Sequence, residues 1–181
     1  MSTTRIGIVI CNGPSRSQWQ KRTTTEIRIG CNHADTDCEL DHCVAIDRMT
    51  VASIVDRHVQ GVTYWTRTSP LELPRGWHEL EAPGIDSGSL AVNLAIQLGL
   101  TEIYVVGADG IMGGSNDTAF TYAWHKHPPS PIIHNRHRRA MIELTKQHPN
   151  RIKFCYEEED PDLDTISASA LRQRLLDISS Q

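Results

Sequence analysis

Hydrophobic positions along this chain gather into short runs with little alternation. Ile6 to Cys11 carries no polar side chain, and Ile27 to Cys31, Cys43 to Ile46, Val62 to Trp65, Ile103 to Val106 and Ile152 to Tyr156 are similar runs rich in branched residues. Such runs predict strands buried on both faces. Between them the apolar spacing becomes helical: Thr50 to His58 (Val51, Ile54, Val55), Ser87 to Leu98, Asn135 to Gln147 and Ala168 to Ile178. Strands alternating with helices predict an α/β fold, a Rossmann-like three-layer domain. Its sheet would be mainly parallel, with helices on both faces and right-handed crossovers.

Two stretches break the pattern. Thr66 to Asp86 carries three Pro and no clear period, so an ordered loop crossing one sheet edge is expected. Gly110 to Pro131 runs from GGSND through AFTYAW to HKHPPSP, and both stretches are long enough to form lids. Tyr122, His125 and His127 are the lid residues with chemistry to offer. The acidic run EEEDPDLD, 157 to 164, reads as a solvated turn. Arg136, Arg138 and Arg139 read as a solvated helix face, or as cations for a diphosphate.

Composition narrows the function classes. The chain has 181 residues, 39% of them hydrophobic and only two of them Phe, which suits one domain spanning 1–181 around one core. Lys and Arg number 18 against 22 Asp and Glu, a net charge of −4. That balance offers no general attraction to nucleic acid or an anionic membrane, so any anion must be held locally. No apolar run nears the roughly 20 residues of a membrane span. The start MSTTR also lacks a secretory signal's apolar core, so a cytoplasmic protein is expected. Five Cys, at 11, 31, 38, 43 and 155, imply no disulfide framework. Cys31, His33, Cys38, His42 and Cys43 collect five soft-metal ligands, but their spacing matches no zinc ribbon or finger, and a metal-free loop between strands is expected.

Candidate chemistry sits where strands end. In a parallel α/β sheet the ligand lies beyond the carboxyl ends of the strands. Cys11-Asn12-Gly13-Pro14-Ser15 follows the first strand: Gly13 permits close backbone approach, Pro14 fixes a turn, Ser15 can cap the next helix and face an anion, and Asn12 both donates and accepts. Taken alone, these residues are better accounted for by a plain capped turn. Asn32 follows the second strand, Asp47 the third, and Gly107 and Asp109 the fifth. Asp86-Ser87-Gly88-Ser89 opens the best helix, where capping and phosphate binding are compatible.

Taken in order, ICNGPS, IGCNHAD, VAIDRM and DSGSLAVNLAIQLGLTEIYVVGADG resemble the motifs of the small bacterial sialyltransferases of the Rossmann-like type and their 6-hydroxymethylpterin pyrophosphokinase-like relatives, found beside glycan genes and in phages. The resemblance runs from Ile6 to about Leu144. It implies a transferase that takes a nucleotide-activated sugar, CMP-linked, as donor and a glycan or small molecule as acceptor, and it admits a homo-oligomer. It also implies that Asn12, Gly13, Ser15, Asn32, Ser87 and Gly88 contact the nucleotide. By the same resemblance, His134 in PIIHNRHRRAMIEL is the catalytic base, with His137 one turn later. A neutral imidazole suits that task at neutral pH.

The chain is shorter than those sialyltransferases, and its lid offers only Tyr122 as an obvious phenol. Two alternatives therefore stand beside sugar transfer, which requires no cofactor. A pyrophosphokinase-like activity would bind ATP in the same cleft with Mg²⁺ on carboxylates such as Asp47 or Asp109. A non-catalytic nucleotide-binding module would keep the loops alone.

Overall fold

The computed structural model describes residues 4–67, 73–112 and 131–180, apart from the side chains of 131, 132 and 134. Eight strands form one sheet: β1 (Ile6–Ile10), β2 (Ile27–Cys31), β3 (His42–Val44), β4 (Thr63–Thr66), β5 (His78–Glu79), β6 (Glu102–Val106), β7 (Ile152–Cys155) and β8 (Thr165–Ile166). Four α-helices accompany them: α1 (Arg48–Val55), α2 (Ser87–Gln97), α3 (Pro131–Gln147) and α4 (Ala168–Ser179). Short 3-10 turns follow three of the strands, at Pro14–Trp19, Asn32–Thr36 and Asp109–Met112.

The strand order is β5-β4-β3-β2-β1-β6-β7-β8, and every pairing is parallel. β1 is the pivot. The chain runs outward from it through β2 to β5, then returns to its other side with β6 and continues to β8. A crevice opens where the direction reverses, between the carboxyl ends of β1 and β6.

Two apolar layers sandwich the sheet, as strands buried on both faces require. Val9, Ile29, Val44 and Val105 face one way and pack with Leu90 and Leu94 of α2 and with Met141 and Leu144 of α3. Ile6, Ile8, Ile10 and Val106 face the other way, with Trp19, Ile54 of α1, and Leu171 and Leu175 of α4. The fold is thus the expected α/β, Rossmann-like three-layer arrangement. Residues 87 to 95 of α2 are all buried, so this helix is held by packing over β1, β2, β3 and β6.

The structure departs from the expected pattern at the sheet edges. β5 lies inside the stretch expected to be loop; it is two exposed residues long and joins the sheet by the Trp65–His78 register. β8 is equally short and pairs Phe154 with Thr165. Neither carries an apolar run, because edge strands of this length need none. α3 begins at Pro131 rather than Asn135, with Pro in the helix's first turn, where it is tolerated. Arg138 is not a solvated cation. It forks onto Asp160 at 2.8 and 2.7 Å, reaches Asp162 at 3.1 Å and donates to the Ile111 carbonyl at 3.0 Å, so part of the acidic run anchors α3.

Candidate functional site

The exit of β1 is bonded to the exit of β6. Cys11 N–H donates to the Val106 carbonyl at 2.9 Å and Gly13 N–H to the Gly107 carbonyl at 2.7 Å. Gly107 has φ +68°, a left-handed conformation that a side chain would strain, and a Cβ there would lie 2.9 Å from Arg16 Cβ. A Cβ on Gly13 would fall 1.9 Å from Asp109 Oδ2. The loop after β1 can therefore follow this path only with glycine at both positions.

Beside this junction lies a cleft of about 150 Å³, lined by Cys11, Asn12 and Gly13 after β1, by Cys31 and Asn32 at the end of β2, and by Asp86, Ser87 and Gly88 at the start of α2. Gly107, Ala108, Gly110 and Ile111 close the β6 side, and His137 and Met141 reach in from α3. Six expected site residues thus meet in one place: Asn12, Gly13, Asn32 and Gly107 from strand ends, and Ser87 and Gly88 from a helix start.

Their side chains are held in set orientations. Ser87 Oγ donates to Asn32 Oδ1 at 2.7 Å, which points the Asn32 amide nitrogen away from Ser87. Asn32 has φ +53°, uncommon for a non-glycine residue and best tolerated by Asn, and its carbonyl accepts from Cys43 Sγ at 3.1 Å. Asn12 Oδ1 accepts from Arg16 Nη1 at 2.7 Å, and the same guanidinium pairs with Asp37 at 3.0 Å. Arg16 is fully buried, a cation sealed under the cleft floor.

The start of α2 carries a reciprocal cap. Asp86 Oδ1 accepts from Ser89 N–H at 2.9 Å, and Ser89 Oγ bonds back to the Asp86 N–H and carboxylate. Leu90 N–H goes to the Asp86 carbonyl at 3.1 Å. The Ser87 and Gly88 amides, in the first helical turn, have no intrahelical acceptor, and their residues line the cleft. Helix-start amides and the helix dipole favour an anion. The Asp86 charge opposes one, although Ser89 engages both its oxygens.

Other expected site residues lie apart from the cleft. Ser15 and Asp109 take each other: Ser15 Oγ donates to Asp109 Oδ2 at 2.9 Å and Ser15 N–H at 3.3 Å, so the pair caps the turn after β1 and lines no part of the cleft. Pro14 starts that turn and does not line the cleft either. Asp47 is exposed ahead of α1, at the end of β3 and two strands from the pivot. Asp47 and Asp109, either of which the pyrophosphokinase alternative would use for Mg²⁺, are therefore not brought together. His134 lies in α3, but its side chain is outside the described residues, as are Tyr122, His125 and His127 entirely. Among the described residues His137 is the imidazole that lines the cleft, and its one-turn spacing from His134 is its sequence signal.

The cysteine and histidine cluster is dispersed. Cys31 faces α2, whereas Cys38 and Cys43 lie in the opposite layer, where burial pushes the Cys38 thiol up to about 11 and the Cys43 thiol well up. His33 is wedged between Arg57 and Ser53, and His42 accepts from Trp65 Nε1 at 3.2 Å. Among the described residues no three His, Cys, Asp or Glu side chains are grouped to hold a metal ion. No helix among them is long and apolar enough to cross a membrane.

No protein-family model matches the chain, and no curated protein matches it. Among solved structures, the crystal structure of a protein from Lactobacillus plantarum overlays with a TM-score of 0.42 at 13% identity, over 82% of this chain and 59% of that one. The chain thus spans less than two thirds of that protein's length.

Proposed function

We propose that the protein is a transferase that binds a nucleotide-activated sugar, CMP-linked, across the carboxyl ends of β1, β2 and β6, and passes the sugar to the hydroxyl of a glycan or small molecule. The observation that carries this reading is the place and lining of the cleft: it lies at the reversal point of a parallel sheet, and a helix start, two oriented Asn side chains and an imidazole converge there. At about 150 Å³ the described walls are smaller than the roughly 300–1,000 Å³ of common ligand pockets, which suits a phosphate with part of its ribose rather than a whole donor.

The chemistry follows from those groups. The departing nucleotide phosphate already carries charge, so it requires fixed donors more than an acid, and the Ser87 and Gly88 amides supply them without reorganisation. His137 accepts the proton of the attacking hydroxyl, the role first expected of His134 one turn earlier. No metal is required. The pyrophosphokinase alternative is less well supported, because Asp109 is engaged by Ser15 and Asp47 lies off the cleft.

Release of CMP from a CMP-linked sugar tests this reading. Wild type should turn over, and His137→Ala should lose about 10²–10⁴ in rate while keeping donor affinity. Full turnover in His137→Ala with loss in His134→Ala would return the base to His134. No turnover of any nucleotide sugar, with ATP-dependent diphosphate transfer present, would establish the pyrophosphokinase reading instead.

A further inference from the structure

Two thiols lie in the cleft with no part in the transfer chemistry. Cys11 and Cys31 directly follow the Ile10–Gly30 register pair of the adjacent parallel strands β1 and β2, and both line the cleft. Neighbouring strands run about 4.8 Å apart, inside the roughly 4.4–6.8 Å span of Cα atoms that a disulfide bridges. Both sulfurs also sit against the first turn of α2: Cys31 Sγ donates to the Ser87 carbonyl at 3.6 Å, and Cys11 Sγ lies 3.4 Å from where a Gly88 Cβ would be. Cys11 is half-buried and Cys31 buried, so one thiol is open to reagents and the other stands behind it.

We propose that Cys11 and Cys31 form a dithiol modification site in the cleft, oxidised by a small-molecule disulfide to an intramolecular disulfide that weakens ligand binding at the start of α2. The Cys11 thiolate attacks one sulfur of the small disulfide, forming a mixed disulfide and expelling one thiolate. Cys31 Sγ, losing its proton to the departing thiolate as it attacks, then bonds to Cys11 Sγ and expels the second. Two protein thiols are oxidised, one small disulfide is reduced to two thiols, and the two protons leave with them. Forming the bond removes the hydrogen that Cys31 donates to Ser87 and draws Cys11 Sγ toward β2, changing the surface beneath the Ser87 and Gly88 amides. Linkage makes the effect reciprocal: a bound ligand slows oxidation by occupying the same space. The effect on ligand rests on the nucleotide reading above; bond formation does not.

The test treats native, reduced full-length protein with oxidised glutathione, blocks remaining thiols and maps peptides by mass. The expected product is a Cys11–Cys31 linked peptide, reversed by dithiothreitol and lost in Cys11→Ala and in Cys31→Ala. CMP affinity, read by calorimetric titration, should fall about fivefold or more on oxidation of wild type, and treatment should leave that of Cys11→Ala, which lacks the attacking thiol, at its untreated value. A lasting glutathione adduct on Cys11 with Cys31 still blockable, a link to Cys38, Cys43 or Cys155 instead, or two unreacted thiols would overturn the proposal. So would a linked peptide that leaves CMP affinity unchanged. A linked peptide in a protein that binds no nucleotide even when reduced would contradict the nucleotide reading and leave the dithiol site standing.

Discussion

Arg16 shows how one buried residue can order a cleft it does not line. Its guanidinium holds Asn12 by Oδ1 and is anchored in turn by Asp37, while its Nε has no hydrogen-bond partner among the described residues. A charge buried this way contributes little net stability, because its desolvation offsets its pairing. Removing one partner alone leaves the Asp37 charge uncompensated, so Arg16→Met should lower unfolding free energy by about 3–5 kcal/mol in denaturant titration, and in the folded protein weaken CMP binding about tenfold by removing the Arg16 hold on Asn12. His33 carries the opposite lesson. Burial first, and then the Arg57 guanidinium, push its pKa below the ordinary 6.5; Asp35 pulls the other way. Because Arg57 donates to Nδ1, the ring proton sits on Nε2 and faces Ser53 Oγ, whose own proton goes to the Thr50 carbonyl. This is a structural imidazole and not a base beside a nucleophile. The unfolded chain binds a proton here that the fold refuses, so stability should be full above pH 6.5 and decline as pH falls below it. Denaturant midpoints at pH 7.5 and 5.5 should differ less in His33→Gln than in wild type. The residue types at each strand end were legible in the sequence, but which of them face a ligand was not. Ser15 and Asp109 satisfy each other across ninety-four positions of chain, and no local pattern announces such a pairing.

At the scale of elements, α2 organises the site. Its apolar spacing and Asp86 start are plain in the sequence, and the structure adds the full capping box with Ser89. Asp86→Ala should lower stability by about 0.5–2 kcal/mol through loss of that cap, and hydrogen exchange at the first turn of α2 should rise. The same substitution removes a negative charge from the cleft, so anion affinity should be maintained or increased if the fold survives. α3 was only half legible. Its Arg-rich face looks solvated in sequence, yet Arg138 is clamped by Asp160 and Asp162 from a stretch that reads as a plain acidic turn. That clamp also reaches the Ile111 carbonyl in the cleft wall, so it sets how α3 presents His137 and Met141. β5 and β8 were illegible because two-residue edge strands are made by their partners and leave no period of their own.

Over the whole molecule, the sheet order decides where function belongs. Continuous apolar runs announced a parallel sheet with covered faces, but they could not say that β1 is the pivot or that β3 ends far from it. That is why Asn12, Asn32 and Gly107 meet while Asp47 does not. A net charge of −4 makes the overall field unfavourable to an anion, so binding must come from the amides and side chains of the cleft. The central claim is that a nucleotide is held there. The most direct measurement is a thermal-shift panel of CMP, CDP, UDP, GDP, ATP and pterin, with and without Mg²⁺, on wild type and on Gly88→Leu, whose side chain would enter the cleft beside Cys11 and Met141. At one hundred times its dissociation constant a ligand adds about 2.7 kcal/mol, several degrees in midpoint for a domain of this size. The account predicts a shift with CMP that is independent of Mg²⁺ in wild type and absent in folded Gly88→Leu; an equal CMP shift in both proteins, or a shift only with ATP and Mg²⁺, would contradict it.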